Sequence, residues 1–369
     1  MGETARVEGV RIGIFLPNLR GGGAERMMVN LANGFLDVGA SVDLVLASAE
    51  GEYLPEVARG VRIVDLAVGR VGRSVPALRR YLREARPAAL LSTLYRANIA
   101  ALLAKRMAGG GVRVFIREAN SLRHDRPANS REWLVRRIAP LVYPSADGII
   151  AVSRGVAEDL ARATGIERSK ITVIPNPVVT PDLLERARAP VDHPWYRAGA
   201  RVVLGVGRLS RQKDFATLIR AVAIVRQRMD VKLLILGNGP EYDALDRLRR
   251  SLGLTEHVCL HPFVANPFAF MARSAVFALS SAWEGLPGVL IQAMACGCPV
   301  VSTDCPHGPA EILENGRYGP LVPVGDAEGL ARALMEVLDS PPPRELLQGR
   351  AMEFSVERSC RMYLQTMLS

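Results

Sequence analysis

Short apolar runs alternate along this chain with longer segments whose apolar residues recur every three or four positions. Residues 10–16 form such a run, 24–36 an amphipathic segment, and 41–46 a second run. Runs at 89–92, 112–116, 148–152 and 170–174 predict further strands, with helical patterns at 98–107 and 154–163 between them. The runs are rich in Val, Ile and Leu and hardly alternate, as expected of strands buried on both faces. Strand and helix in alternation predict a parallel sheet covered on both sides.

The rhythm breaks between 176 and 199, in NPVVTPDLLERARAPVDHPWYRAG, a Pro- and charge-rich stretch that reads as a linker. It then restarts with strands at 201–206, 231–236, 257–260, 276–279, 299–302 and 321–323. Helices are expected at 215–228, 240–251, 266–273, 327–338 and 356–367, and an apolar one just before Cys296-Gly297. A length of 369 residues suits two domains. The expected fold is α/β: two Rossmann-like, doubly wound domains, 1–180 and 181–351, facing across a cleft. Such sheets bind ligands at the carboxyl ends of their strands.

Composition narrows the function. Hydrophobic residues make up 49%, enough for sizeable cores, while 5% aromatics disfavour a surface for stacking nucleic-acid bases. No apolar run reaches the roughly 18 residues of a membrane span. MGETARVEGVRIGIFLPN places acids before its apolar stretch, unlike a signal peptide. The five cysteines, Cys259, Cys296, Cys298, Cys305 and Cys360, read as free thiols. Cys296-Gly-Cys298 lacks the second Cys or His pair of a zinc site, so packing is its expected role. The net charge of +10 is uneven: residues 70–137 hold 16 Lys and Arg against 4 Asp and Glu, leaving the rest slightly acidic. That points to an anionic partner such as membrane phosphates, or equally to a solvated Arg-rich surface.

The stretch 280–313, SSAWEGLPGVLIQAMACGCPVVSTDCPHGPAEIL, carries the most chemistry. Glu284 precedes a helix opened by Gly-Leu-Pro-Gly. A carboxylate there can accept from hydroxyls, and the free N–H groups of the first turn can hold an anion. A polyhydroxyl compound bearing an anion describes a nucleotide sugar. Arg208 and Lys213 lie in the loop after strand 201–206, a planar fork and a point charge suited to a diphosphate, or two solvated cations. Gly237, Asn238 and Gly239 follow the next strand; they would allow close approach of a ring or phosphate, or make a tight turn. The pattern Gly205-x-Gly207-x-x-Ser210 lacks the third glycine and acidic partner of a dinucleotide fingerprint.

GRLSRQKD, LILGNGPE and EGLPGVLIQAMACGCPVVSTDCPHGPAEIL, in this order, closely resemble the GT4 family of retaining glycosyltransferases of the GT-B fold. The resemblance extends through VIPNPV, AVSRGVAEDL and LRGGGAER to nearly the whole chain. It implies an acceptor-binding first domain, a donor-binding second domain, and a C-terminal helix, 352–369, packing back on the first. It implies that Arg208 and Lys213 neutralise the donor diphosphate and that Glu284 accepts from the sugar hydroxyls. The amides of Gly288 and Val289 would hold phosphates. Gly237 and Val264 would flank the base, and Gly22 and Gly23 would close over the donor beside the acceptor. The implied reaction is hexosyl transfer from a nucleoside-diphosphate sugar, UDP-linked, with retention and without a separate cofactor.

Two departures stand out. The family pairs two Glu eight positions apart, whereas Glu284 is followed by Gln292, which still accepts from a ribose hydroxyl but carries no charge. In FIREANSL, Ala119 stands where many relatives have a His that contacts the sugar. Glu118 or Asn120 could orient acceptor or sugar there, with His124, His261 and His307 as alternatives. No Asp-x-Asp triplet occurs, so the cations and the helix N-terminus are expected to replace a metal. STDCPHGPAEIL resembles the form in enzymes building bacterial surface polysaccharides and lipid-linked oligosaccharides. The expected acceptor is a glycan or polyprenyl-diphosphate-linked glycan, and the expected location the inner face of the cytoplasmic membrane, contacted through 75–81 and 133–142. A sugar-nucleotide hydrolase or epimerase, or a non-catalytic partner subunit, are the alternatives on the same fold.

Overall fold

A computed structural model of the chain describes residues 7–20, 22–119 and 137–369. The chain forms two compact units, Met1–Val178 with Val356–Ser369, and Val179–Ser355.

The first unit holds a seven-stranded parallel sheet. Its strands are β1 (Arg11–Leu16), β2 (Ser41–Leu46), β3 (Arg62–Asp65), β4 (Ala89–Thr93), β5 (Arg113–Glu118), β6 (Gly148–Ala151) and β7 (Ile171–Val173), in the order β3-β2-β1-β4-β5-β6-β7. The second holds six: β8 (Val202–Val206), β9 (Lys232–Leu236), β10 (Val258–His261), β11 (Val276–Leu279), β12 (Val300–Thr303) and β13 (Leu321–Val322), in the order β10-β9-β8-β11-β12-β13. Every pairing is parallel. In each sheet the order reverses once, between β1 and β4 and between β8 and β11. The loops leaving those strands diverge and open a crevice at the carboxyl edge.

Three expectations change. β3 has no apolar run to announce it, because most of its side chains are exposed. The stretch 176–199 holds the boundary between the units, at Val178, but it is not irregular: two short helices follow, Leu183–Arg188 and Pro194–Arg197. It is tied down from both sides: its Arg186 donates to the Ala265 carbonyl at 2.9 Å, and Arg273 from outside it donates to those of Ala187 and Arg188 at 3.0 and 3.1 Å. The returning segment starts at Val356 instead of 352, since Met352–Phe354 is a 3-10 turn within the second unit.

The last helix, Val356–Leu368, is a structural part of the first unit. It lies against the helix Gly23–Asp37, where a Cβ on Gly34 would come within 2.6 Å of both Cys360 Sγ and Val356 Cγ1. Its Tyr363 hydroxyl accepts from Arg117 Nε at 3.1 Å. Arg117 is fully buried and also donates to Thr93 Oγ1 at 2.9 Å and to Asn176 Oδ1. The Asn-Pro-Val of VIPNPV is thereby fixed: Asn30 donates to the Pro177 carbonyl at 2.7 Å and Ser359 to that of Pro175 at 3.2 Å.

The cysteines are free, and all but Cys259 are buried. Burial pushes the thiols of Cys296, Cys305 and Cys360 up to about 12, and that of Cys298 higher still. Thiolate is the reactive species. Iodoacetamide at pH 8 should therefore modify at most one cysteine of the native protein, Cys259, and all five in denaturant, as read by intact mass. Rapid native modification of two or more would contradict this packing.

Candidate functional site

The loops leaving β8 and β11 are stitched together at the reversal point of the second sheet. Leu209 is buried beneath the first loop. Asp214 ends it, its carboxylate accepting from Thr217 N at 3.3 Å and Thr217 Oγ1 at 2.6 Å to cap the helix Phe215–Val225. Gln212 Nε2 donates to the Trp283 carbonyl at 3.0 Å, and Ala282 N donates to that of Gln212 at 2.7 Å. Ser280 Oγ donates to the Lys213 carbonyl at 2.8 Å.

Glu284 lies at the centre of this seam, with only 7% of its surface exposed. Lys213 Nζ is 2.5 Å from Glu284 Oε1, and Ser281 Oγ donates to the same oxygen at 2.6 Å. Both donors converge on Oε1; Oε2 accepts no hydrogen bond from the described residues. A buried carboxylate with one idle oxygen has room for a hydroxylated ligand. Pro306 O accepts from Glu284 N at 3.3 Å, and Thr303 Oγ1 donates to the Ser281 carbonyl at 2.6 Å, so the loop after β12 braces the acid from behind.

The other expected residues fall around this seam in different states. Arg208 is exposed, with no ion pair or hydrogen bond among the described residues. Gly288 and Val289 open the helix Gly288–Ala295, whose first N–H groups have no intrahelical acceptor. Gln292, half-buried, lies one turn further along. Gly237 ends the strand beside β8, and its N–H donates to the His261 carbonyl at 2.9 Å, which brings it next to the loop carrying Val264. Its glycine serves the chain itself: a Cβ there would sit 2.0 Å from the Gly207 carbonyl oxygen. Gly239 is equally confined, 2.2 Å from the Leu209 carbonyl oxygen. His261 turns its Nδ1 to the Pro262 carbonyl at 2.9 Å, and His307 lies in the loop after β12 with φ +67°.

In the first unit, Gly22 and Gly23 lead into the helix Gly23–Asp37 from the loop after β1. The carboxylate of Glu25 folds back over Gly22, so that a Cβ on Gly22 would meet Glu25 Oε2 at 2.1 Å. Burial raises the pKa of Glu25, an acid sequence reading passed over because a Glu in a first helical turn is commonplace. Glu118 is occupied. It is buried, accepting from Asn98 Nδ2 at 2.9 Å and from the Tyr143 hydroxyl. Burial, then the Glu118 charge, raises the Tyr143 pKa. Asn120, His124 and residues 133–136 lie outside the described residues. No group of three or more His, Cys, Asp or Glu among the described residues is placed to hold a metal ion.

Two family models match the chain, Glycosyltransferase Family 4 over residues 21–181 and Glycosyl transferases group 1 over 200–340. The chain is 31% identical over 352 residues to the N-acetylgalactosamine-N,N'-diacetylbacillosaminyl-diphospho-undecaprenol 4-alpha-N-acetylgalactosaminyltransferase of Campylobacter jejuni, covering 92% of this chain and 93% of that one. The chain belongs to glycosyltransferase family 4. This hexosyltransferase is also 35% identical, over 62% of its length and 66% of the relative, to the lipopolysaccharide core biosynthesis glycosyltransferase LpsE of Rhizobium meliloti. Its GT-B fold is shared with Anabaena HepE, solved with UDP and glucose: TM-score 0.79, 21% identity, 98% of this chain and 100% of that one.

The packing of the enzyme's two glycine turns can be tested apart from any ligand. Gly237→Ala forces a Cβ onto the Gly207 carbonyl, and overpacking of this kind costs about 1–3 kcal/mol. Its thermal midpoint should fall by several degrees, whereas that of Gly199→Ala, where a Cβ meets nothing within 4 Å, should fall less.

Proposed function

We propose that the enzyme transfers a hexosyl residue from a UDP-sugar to a hydroxyl of a lipid-linked or surface-polysaccharide glycan, with retention and without a metal ion. The observation that carries the donor assignment is the idle oxygen of the largely buried Glu284 carboxylate beside the Lys213 cation. Glu284 Oε2 accepts from sugar hydroxyls while Lys213, Arg208 and the Gly288 and Val289 amides take the diphosphate. Gly237 and Val264 flank the base, and Gln292 meets the ribose. The UDP in the HepE complex supports the choice of nucleotide. The diphospho-undecaprenol acceptor named for the Campylobacter relative supports a polyprenyl-linked acceptor.

In the reaction the bond from the anomeric carbon to the diphosphate oxygen breaks. The charge left on the nucleoside diphosphate is stabilised by fixed cations and amide dipoles, which is where most of the rate enhancement originates. The acceptor oxygen bonds to the same face of the sugar, and its proton passes to the departing phosphate oxygen. Glu118, committed to Asn98 and Tyr143, contributes no base to this scheme. The acceptor binds the first unit, with Gly22 and Gly23 beside it.

The donor assignment is tested by calorimetric titration with UDP-glucose, UDP-galactose, UDP-N-acetylgalactosamine and UDP. Glu284→Ala should abolish the preference for the tightest sugar over UDP and lower kcat at least a hundredfold; an unaltered preference would refute its role. Gln292→Glu should tighten UDP and every UDP-sugar together, by about 0.5–1.5 kcal/mol, as a gained ribose contact would.

Membrane contact is the second half of the proposal, and the fold narrows its form. The helix Val75–Ala85 buries Leu78, Tyr81 and Leu82, so its apolar side faces the core. Its Arg80 and Arg83, with Arg70, Arg73 and Arg86, are exposed. Among the described residues of this unit, the large apolar side chains left exposed are Ile63, Leu103, Met107 and Leu141, the last 81% exposed. No helix among the described residues is long and apolar enough to cross a membrane. Contact is therefore mainly electrostatic. Vesicles containing phosphatidylglycerol should sediment the protein at 20 mM salt and release most of it at 500 mM, while neutral phosphatidylcholine vesicles leave it in solution. Salt-independent sedimentation would assign the contact to apolar insertion instead.

A further inference from the structure

We infer that Ser281 is a positioning residue for donor-sugar recognition: it locks the carboxylate of Glu284 in one rotamer and so dedicates Oε2 to the sugar. The inference rests on the reading of Glu284 as the sugar-binding acid and adds a residue that need not touch the substrate.

Ser281 is fully buried in the loop leaving β11, three residues before Glu284. Its hydroxyl donates to Glu284 Oε1 at 2.6 Å, a distance typical of a hydroxyl on a carboxylate. Its carbonyl is held in turn by Thr303 Oγ1 at 2.6 Å, and Thr303 is itself fully buried at the end of β12. A chain of short contacts thus runs from the sheet to one oxygen of the acid. Lys213 shares that oxygen at 2.5 Å. The two donors differ in what a donor substrate does to them. Lys213 is cationic, only partly buried, and can turn to a diphosphate oxygen. Ser281 has no freedom to leave. When the diphosphate draws on the ammonium, Ser281 keeps Oε1 satisfied and the carboxylate plane fixed. Without it, Glu284 would be free to rotate and offer either oxygen to Lys213, and the sugar hydroxyls would meet a mobile acceptor.

The consequence is a split that loss of folding would not produce. Ser281→Ala should leave the affinity for UDP within twofold of wild type. Its affinity for whichever of UDP-glucose, UDP-galactose and UDP-N-acetylgalactosamine binds wild type most tightly should fall about tenfold, the value of one hydrogen bond to a charged group. Ser281→Thr, which retains the hydroxyl, should recover most of the loss, and Ser281→Cys, close in shape but a weak donor, should resemble Ala. Equal weakening of UDP and UDP-sugar, or of the Thr and Ala variants, would overturn the inference in favour of a purely structural serine. Full sugar discrimination in Ser281→Ala, with discrimination lost in Glu284→Ala, would overturn the inference alone and leave the reading of Glu284 standing. Discrimination retained in Glu284→Ala would overturn both.

Discussion

Burying a carboxylate is costly unless donors surround it, and the second unit is organised around one buried carboxylate. Glu284 draws Lys213 from one βα loop, Ser281 from another, and a brace from a third. These loops leave β8, β11 and β12, which share the half of the sheet next to its reversal point. Without the acid, the loops leaving β8 and β11 would lose the ion pair that joins them among the described residues. With it, the same group that joins them retains an unused oxygen. Structural cohesion and ligand capacity therefore reside in one side chain.

The first unit handles buried charge differently. Arg117 and Glu118 are consecutive on β5 and point to opposite faces of the sheet, as period-two alternation requires. Arg117 is spent on Tyr363, Thr93 and Asn176, fixing the last helix and the Asn-Pro-Val turn. Glu118 is spent on Asn98 and Tyr143. Both charges hold the unit together. The contrast with Glu284 lies in the donors: a neutral amide and a phenol hold Glu118 Oε1, whereas a lysine and a serine from two loops hold Glu284 Oε1.

The glycines show the same economy. Gly237 and Gly239 look, in sequence, like a cradle for a flat ring or a phosphate. In the structure their missing side chains admit the backbone of the neighbouring loop, at the Gly207 and Leu209 carbonyls. The two turns interlock further through Leu209 N to the Asn238 carbonyl at 2.9 Å and Glu241 N to that of Leu209 at 3.0 Å. The interlock makes the two turns one rigid piece of backbone, so the missing side chains serve the chain itself.

Sequence by itself determined the two parallel sheets, because strands buried on both faces must be written in continuous Val, Ile and Leu. It also singled out Glu284, Arg208 and Lys213 as candidates, since charge in loops at strand ends is visible one residue at a time. It missed β3, an edge strand with exposed side chains, and it read 176–199 as a break without its two short helices, since an arginine that ties a backbone carbonyl, as Arg186 does, looks the same in sequence as a solvated one. Only the tertiary structure decided how each charged group is used. That Glu118 is held by Asn98 and Tyr143, and Glu284 by Lys213, depends on residues 20 to 71 positions away that fold against them. Hydrogen bonding at that separation is a property of packing, and no local pattern records it.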